Sequence, residues 1–141
     1  MIKSLISPKL IAAYKSANYT IICDQPVVLN IGQPSRQLLK LHNQFRCTCS
    51  AFITAWNPYS KAVFEDENVA AQARLEAYLA ERSFSFVTGK GEDSTGNWPG
   101  EPSVLVFGTS QDEAESIGIQ FLQNAIVWNH DDAIPQLNLL R

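Results

Sequence analysis

The chain has 141 residues, 45% hydrophobic and 18% charged; that length supports one domain burying roughly 70% of its unfolded surface, and that composition excludes a disordered chain. No apolar run approaches the ~20 residues of a membrane span, and Met1 to Ser7 lack the apolar segment and small-residue cleavage site of a secretion signal, so a mature cytoplasmic protein is expected. The net charge of −3 is unevenly placed: residues 1–46 hold Lys3, Lys9, Lys15, Arg36, Lys40 and Arg46 against Asp24 alone, and the remainder is strongly acidic.

Ser7-Pro8 predicts the start of a first helix, with Ser as N-cap and Pro at the first helical position, where its missing N–H costs nothing. Leu10, Ile11, Tyr14 and Ala17 then recur at helical spacing and leave Lys9 and Lys15 to water. Two strands follow, 19–23 and 27–31, turned by Asp24-Gln25-Pro26. A second helix over 35–44 faces Leu38, Leu41 and Phe45 inward, with His42 beside that stripe as a partly buried structural residue. Residues 47–56 are apolar on both faces, which predicts a central strand covered by helices. Pro58 ends it, because Pro cannot donate to a strand ladder.

The longest helix is predicted from 62 or 65 to 82, with an acidic first turn that complements the helix dipole and an inward stripe of Ala71, Leu75, Tyr78 and Leu79. Extending that spacing backward places Asn68 on the same face, where a polar side chain must find partners. A strand over 83–88 leads to a glycine-rich loop over 89–100, the main loop of the chain, and then to a short apolar strand at 104–107. Ser110-Gln111-Asp112-Glu113 has the form of a capping box. The helix behind it turns Ala114, Ile117, Gly118, Phe121 and Leu122 inward, and Gly118 there predicts close approach of another backbone. Strands at 125–128 and 137–140 complete the order α-β-β-α-β-α-β-β-α-β-β. The expected fold is a single-domain α+β sandwich: a mixed sheet with four helices packed mainly on one face.

Three polar–aromatic segments stand at the borders of apolar runs. They are Ala51-Phe52-Ile53-Thr54-Ala55-Trp56-Asn57-Pro58, Gly96-Asn97-Trp98-Pro99-Gly100-Glu101-Pro102-Ser103, and Phe121-Leu122-Gln123-Asn124-Ala125-Ile126-Val127-Trp128. In this order, with Asn68 between the first two, they resemble a bacterial family catalogued as domain of unknown function 3293. The resemblance covers most of the chain and implies a bacterial single-domain protein with no assigned activity, so no catalytic residue carries over. One departure is Leu122, which stands where the family pattern leads one to expect Gly.

The candidate ligand-binding residues are Thr54, Trp56, Asn57, Asn68, Trp98, Glu101, Ser103, Gln123 and Asn124. Amides both donate and accept, so such a set suits the hydrogen-bonding edge of a small molecule or a protein partner, with Trp56, Trp98 and Trp128 as stacking surfaces. The competing expectation is that these side chains tie loops to the sheet. Glu101, held between Gly100 and Pro102, is the candidate general acid or base should the protein be an enzyme. A third possibility is a nucleic-acid-associated protein, which requires Lys9, Lys15, Arg36, Lys40 and Arg46 to share one face. No membrane partner is expected.

Neither a cofactor nor a metal is expected. Gly89-Lys90-Gly91 lacks P-loop spacing, and Cys47, Cys49 and His42 offer three soft ligands where a closed zinc site needs four. Three cysteines cannot close a disulfide set, so Cys23, Cys47 and Cys49 are read as reduced thiols.

Overall fold

The computed structural model describes residues 4–95 and 100–141. In chain order the elements are α1 (Pro8–Ser16), β1 (Asn18–Ile21), β2 (Val27–Leu29), α2 (Arg36–Gln44), β3 (Ser50–Ile53), α3 (Glu65–Glu81), β4 (Ser85–Glu92), β5 (Glu101–Phe107), α4 (Gln111–Gln120), β6 (Ala125–Asn129) and β7 (Pro135–Leu139), with a 3-10 turn at Pro58–Ser60. The expected order holds, and so does the α+β class with four helices. All seven strands join one sheet, ordered β2-β1-β4-β5-β3-β6-β7. Within it, β3-α3-β4-β5-α4-β6 is a ferredoxin-like split βαβ arrangement, extended by the β1–β2 hairpin at one edge and by β7 at the other.

The sheet and its cover differ from expectation. The pairings are antiparallel throughout, not mixed. The helices also serve both faces of the sheet. Ala51, Ile53, Val104, Val106, Ile126 and Trp128 pack with Ala71, Leu75 and Leu79 of α3 and Ala114 and Ile117 of α4. The alternate residues Phe52, Leu105, Phe107 and Val127 pack with Leu38 of α2, backed by Leu41 and Phe45. Central strands that are apolar on both sides need this second cover. Helix α1 is attached more lightly and has no fully buried residue.

Strand β4 runs on through Gly89, Gly91 and Glu92, which the sequence assigns to a loop. Glycine weakens a strand, but here β1 pairs on one side and β5 on the other, from Gly89 opposite Ser103 to Gly91 opposite Glu101. Strand β5 correspondingly begins at Glu101. Its pairing with β3 reaches only Val104, opposite Ile53. Beyond that point Pro102 has no N–H to give, and the Thr54 hydroxyl takes its carbonyl instead at 2.7 Å. Gly118 meets side chains, not a backbone: a Cβ there would lie 2.5 Å from Leu140 and 2.8 Å from Ile126. His42 is buried as expected, with Nε2 2.8 Å from the Ser50 hydroxyl, which also accepts from Asn129 at 3.1 Å. Burial in turn lowers the His42 pKa.

Helix caps explain most boundaries. Ser7 and Ser35 each accept from the N–H three residues on, and Ser110 with Glu113 closes a reciprocal capping box. At the other ends, α2, α3 and α4 finish alike, in left-handed residues that are not glycine: Arg46, Ser83 and Leu122, at φ 54°, 60° and 59°. Each is followed by a residue whose N–H returns to a carbonyl of the last turn, from Cys47 to His42, Phe84 to Leu79 and Gln123 to Gly118. This is the Schellman geometry, in which glycine is usual. Leu122→Gly should therefore stabilise the fold by about 0.5–1 kcal/mol, since a left-handed L-residue costs roughly 1–2 kcal/mol and glycine's unfolded-state entropy offsets part of that. Urea unfolding reads the gain. A loss instead would show that contacts of the half-exposed Leu122 side chain outweigh its backbone strain.

Candidate functional site

The end of β3 and the starts of β5 and β6 bring most of the expected residues to one end of the sheet. Asn57, just past β3, has φ 46°, and Tyr59 and Ser60 are also left-handed at 54° and 60°. Three such residues within four are strained, and strain of this kind persists only where surrounding contacts over-determine it. Asn68 supplies two of those contacts: its Oδ1 accepts from the Asn57 N–H at 2.8 Å and its Nδ2 donates to Asn57 Oδ1 at 2.8 Å. The Asn57 Nδ2 is then free to donate to Glu101 Oε1 at 3.2 Å. Asn68 lies behind the site and acts through Asn57.

Around this relay lie two adjoining spaces. The larger is a cleft of about 320 Å³ between α1 and the sheet, lined by Ala13, Tyr14, Ala17, Tyr19, Asn57, Ser60, Ala62, Gly91, Glu92, Asp93 and Glu101. A smaller chamber of about 80 Å³ continues from it past Thr54, Ser103, Gln123 and Asn124, sharing Tyr14, Tyr19, Ser60, Gly91 and Glu101. Gly91 stands opposite Glu101 in the sheet register and has no side chain to fill the space above it.

The amides largely spend their hydrogen bonds inside the protein. Gln123 donates to the carbonyls of Phe121 and Trp56 at 3.1 and 3.4 Å. Asn124 donates to the Tyr14 hydroxyl at 2.9 Å and accepts from Arg141 at 3.2 Å. Thr54 accepts from the Trp56 N–H at 3.0 Å while donating to Pro102, and the Ser103 hydroxyl donates to the Glu101 carbonyl at 3.0 Å. These are ties between loops and sheet.

The tryptophans do not form walls among the described residues. Trp128 lies in the core beneath α4, and half-buried Trp56 lines neither space. Trp98 lies outside the described residues. The aromatic walls are Tyr14 and Tyr19, which the sequence reading did not single out. A tyrosine on an inward helical position was the available signal, because its hydroxyl must be partnered when buried. Here the Tyr19 hydroxyl donates to the Tyr14 carbonyl at 2.6 Å, and the Tyr14 hydroxyl meets both Ser60 and Asn124.

Glu101 lines both spaces, among apolar and aromatic side chains. Burial raises its pKa above the ordinary value of 4.5, and the Asn57 hydrogen bond only partly opposes that. Among the described residues its Oε2 accepts no hydrogen bond, and no Lys or Arg lines the cleft. The linkage sign follows from the direction of the shift. The native state holds this proton more tightly than the unfolded chain, so Glu101 favours folding most below pH 4.5 and loses that contribution as pH rises through the raised native value. Glu101→Gln should thus melt a few degrees higher than the parent near pH 7.5, with 1 kcal/mol corresponding to roughly 4 °C in a domain of this size. The difference should close as pH falls towards 4.5. A variant less stable at every pH would make Glu101 a structural tie.

Charge separates between the helical layers. Lys9, Lys15, Arg36, Lys40 and Arg46 are all exposed on α1, on α2 or in the turn after it, and none forms an ion pair among the described residues. Helices α3 and α4 carry Glu65, Asp66, Glu67, Glu76, Glu81, Asp112, Glu113 and Glu115. Among the described residues no group of three His, Cys, Asp or Glu side chains is placed to hold a metal ion. No described helix is long and apolar enough to cross a membrane.

Fold and cleft together define a small α+β protein with an acidic, tyrosine-walled cavity at one end of an antiparallel sheet. The chain belongs to the family described as protein of unknown function (DUF3293), whose model matches residues 53–126, just over half of the sequence. No curated protein and no solved structure matches the chain. The matched segment contains Asn57, Asn68, Glu101, Ser103, Gln123 and Asn124. Helix α1 and strand β1, which bring Tyr14 and Tyr19, lie outside it.

Proposed function

We propose that this protein binds a small molecule in the cleft between α1 and the sheet. The observation that carries this reading is Glu101: a desolvated carboxylate held by a strained Asn57–Asn68 relay, in a residue that lines an open space of about 320 Å³. Small-ligand sites have this make-up, apolar and aromatic walls with few convergent polar groups. Ties that served only the fold would not need an empty space beside a raised carboxyl. Two-dimensional NMR of the labelled protein against a fragment library tests it. Hits that shift the amides of Tyr14, Tyr19, Gly91 and Glu101 together support the reading, whereas hits confined to other surfaces would end it.

An enzyme using Glu101 as general acid or base is the second reading, favoured by the direction of its pKa shift. No histidine joins it: His42 is buried against Ser50, and His130 lies 2.7 Å from Asp131 in an exposed turn. Binding is therefore placed first. The layer of unpaired basic side chains on α1 and α2 supports a third reading, contact with a polyanion, for which binding to a DNA duplex should fall steeply with added salt. The three unbridged cysteines suit a reducing compartment, and we place the protein in the cytoplasm.

A further inference from the structure

We infer that the cleft takes a small organic cation, an amine or guanidinium carried on an apolar stem. This rests on the reading of the cleft as a small-molecule site and names the class of its occupant.

The first argument is the charge of the lining. Glu101 at the start of β5 and Asp93 just past β4 are among the lining residues, as is Glu92, whose carboxylate turns towards Lys90, and no Lys or Arg borders the space among the described residues. The nearest cation in sequence, Lys90, is paired with Pro102 in the sheet register, so its side chain leaves the opposite face from Gly91 and Glu101. Among the described residues its ammonium pairs with Glu92, at 4.0 Å, on that same opposite face. Asp93 is already occupied by the Thr95 N–H and hydroxyl, at 2.6 and 2.7 Å. Glu101 is desolvated by burial, and among the described residues it has no positive partner. A buried carboxylate without a counter-charge is costly, and a cation entering from solvent supplies what the protein omits.

The remaining walls fit the rest of such a molecule. Facing Glu101 are Tyr14 of α1 and Tyr19 of β1, whose hydroxyls are already engaged with Ser60, Asn124 and the Tyr14 carbonyl. What these tyrosines offer an occupant is ring surface, to which cations are attracted through the ring quadrupole. Ala13, Ala17 and Ala62 add small apolar surface for a hydrocarbon stem. A volume near 320 Å³ is room for roughly ten water molecules, at about 30 Å³ each, and so for a small molecule of comparable bulk. A bare metal ion does not fit this arrangement, since no three described carboxylate, thiol or imidazole side chains converge.

Binding should also be coupled to protons. A cation beside Glu101 favours its ionised form, so affinity should rise as pH rises through the native Glu101 pKa.

The experiment uses the whole chain, isotopically labelled, with four probes: benzylammonium, agmatine, benzyl alcohol and benzoate. Titrations at pH values below and above the Glu101 transition follow the amides of Tyr14, Tyr19 and Gly91. The expected result is that both cations shift these amides, more strongly at the higher pH, and that the neutral and anionic probes do not. Two variants accompany it. Glu101→Gln removes the charge and should weaken cation binding by at least about tenfold. Gly91→Val fills the cleft, where a Cβ at residue 91 would meet nothing closer than the Ser103 hydroxyl at 4.0 Å, and should abolish binding in a folded protein. Should Glu101→Gln fail to fold, the pH dependence in the parent protein reports on the same carboxylate. Benzyl alcohol or benzoate binding as tightly as benzylammonium would overturn the cation while leaving a small-molecule site. Cation binding that ignores both pH and Glu101→Gln would equally overturn it. If none of the four probes moves the cleft amides, the small-molecule reading falls as well.

Discussion

Asn68→Ala should destabilise the protein by about 2–4 kcal/mol, because two part-buried polar groups lose their partners at roughly 1–3 kcal/mol each. The groups are the Asn57 N–H and the Asn57 Oδ1, each 2.8 Å from the Asn68 amide. The only other described hydrogen bond to that Oδ1 comes from the Val63 N–H, at 3.4 Å. Once the Asn68 amide is gone, little holds Asn57, Tyr59 and Ser60 in the left-handed region, and the turn at 57–60 should relax. That relaxation has a second, independent readout. The Asn57 Nδ2–H donated to Glu101 is the one contact that lowers the Glu101 pKa against its burial. If Asn57 swings away, the Glu101 carboxyl should titrate higher still in Asn68→Ala than in the parent, as followed by carbon-detected NMR. Urea unfolding supplies the stability. A loss under about 0.5 kcal/mol would mean that water replaces the Asn68 amide without strain. A stability loss with unchanged Glu101 titration would separate the relay from the cleft.

The role of Asn68 was legible because helical periodicity is a strong local signal: the spacing that set Ala71, Leu75 and Leu79 inward carried a polar residue to the same face. It could not name Asn57 as the partner. Gln72, also buried, sits one position round from the stripe and escaped notice, although its Oε1 caps the Ala55 N–H at 3.0 Å. Glu101 stood out because Gly and Pro on either side restrict its backbone at a strand entrance. Tyr14 and Tyr19 were less legible for the opposite reason. Each fits its own element as an ordinary half-buried aromatic, and only the packing of α1 over the β4–β5 end makes them two walls of one space. The same limit explains the sheet. Alternation and apolar runs mark seven strands, yet strand order, and hence a helix on each face, depends on pairings between distant segments such as β1 with β4. The glycines of 89–92 signal a loop on their own, and two flanking strands overrule them.

Gly89→Ala should cost about 2 kcal/mol, within the roughly 1–3 kcal/mol typical of overpacking a tight core. A Cβ at residue 89 would lie 2.6 Å from the Phe52 ring and 3.0 Å from the Thr20 carbonyl oxygen. The ring can shift, but the carbonyl belongs to β1, and displacing it disturbs a strand that pairs with β4 through Ile21 opposite Gly89. Phe52 also packs edge-on against Tyr19, with centroids 5.4 Å apart and planes at 72°, so pressure on Phe52 is passed to a cleft wall. Gly89→Ala should therefore weaken benzylammonium binding as well as stability, although residue 89 lines neither space. A double-mutant cycle with Phe52→Leu distinguishes the two contacts. If the ring is the main obstacle, the smaller side chain should recover part of the loss, with a coupling above about 0.5 kcal/mol as expected for residues in contact. If the two losses simply add, the Thr20 carbonyl sets the limit, and glycine at 89 is required by the approach of β1 to β4. In that case the stability loss should persist without an effect on binding, because the Phe52–Tyr19 contact is left as it was.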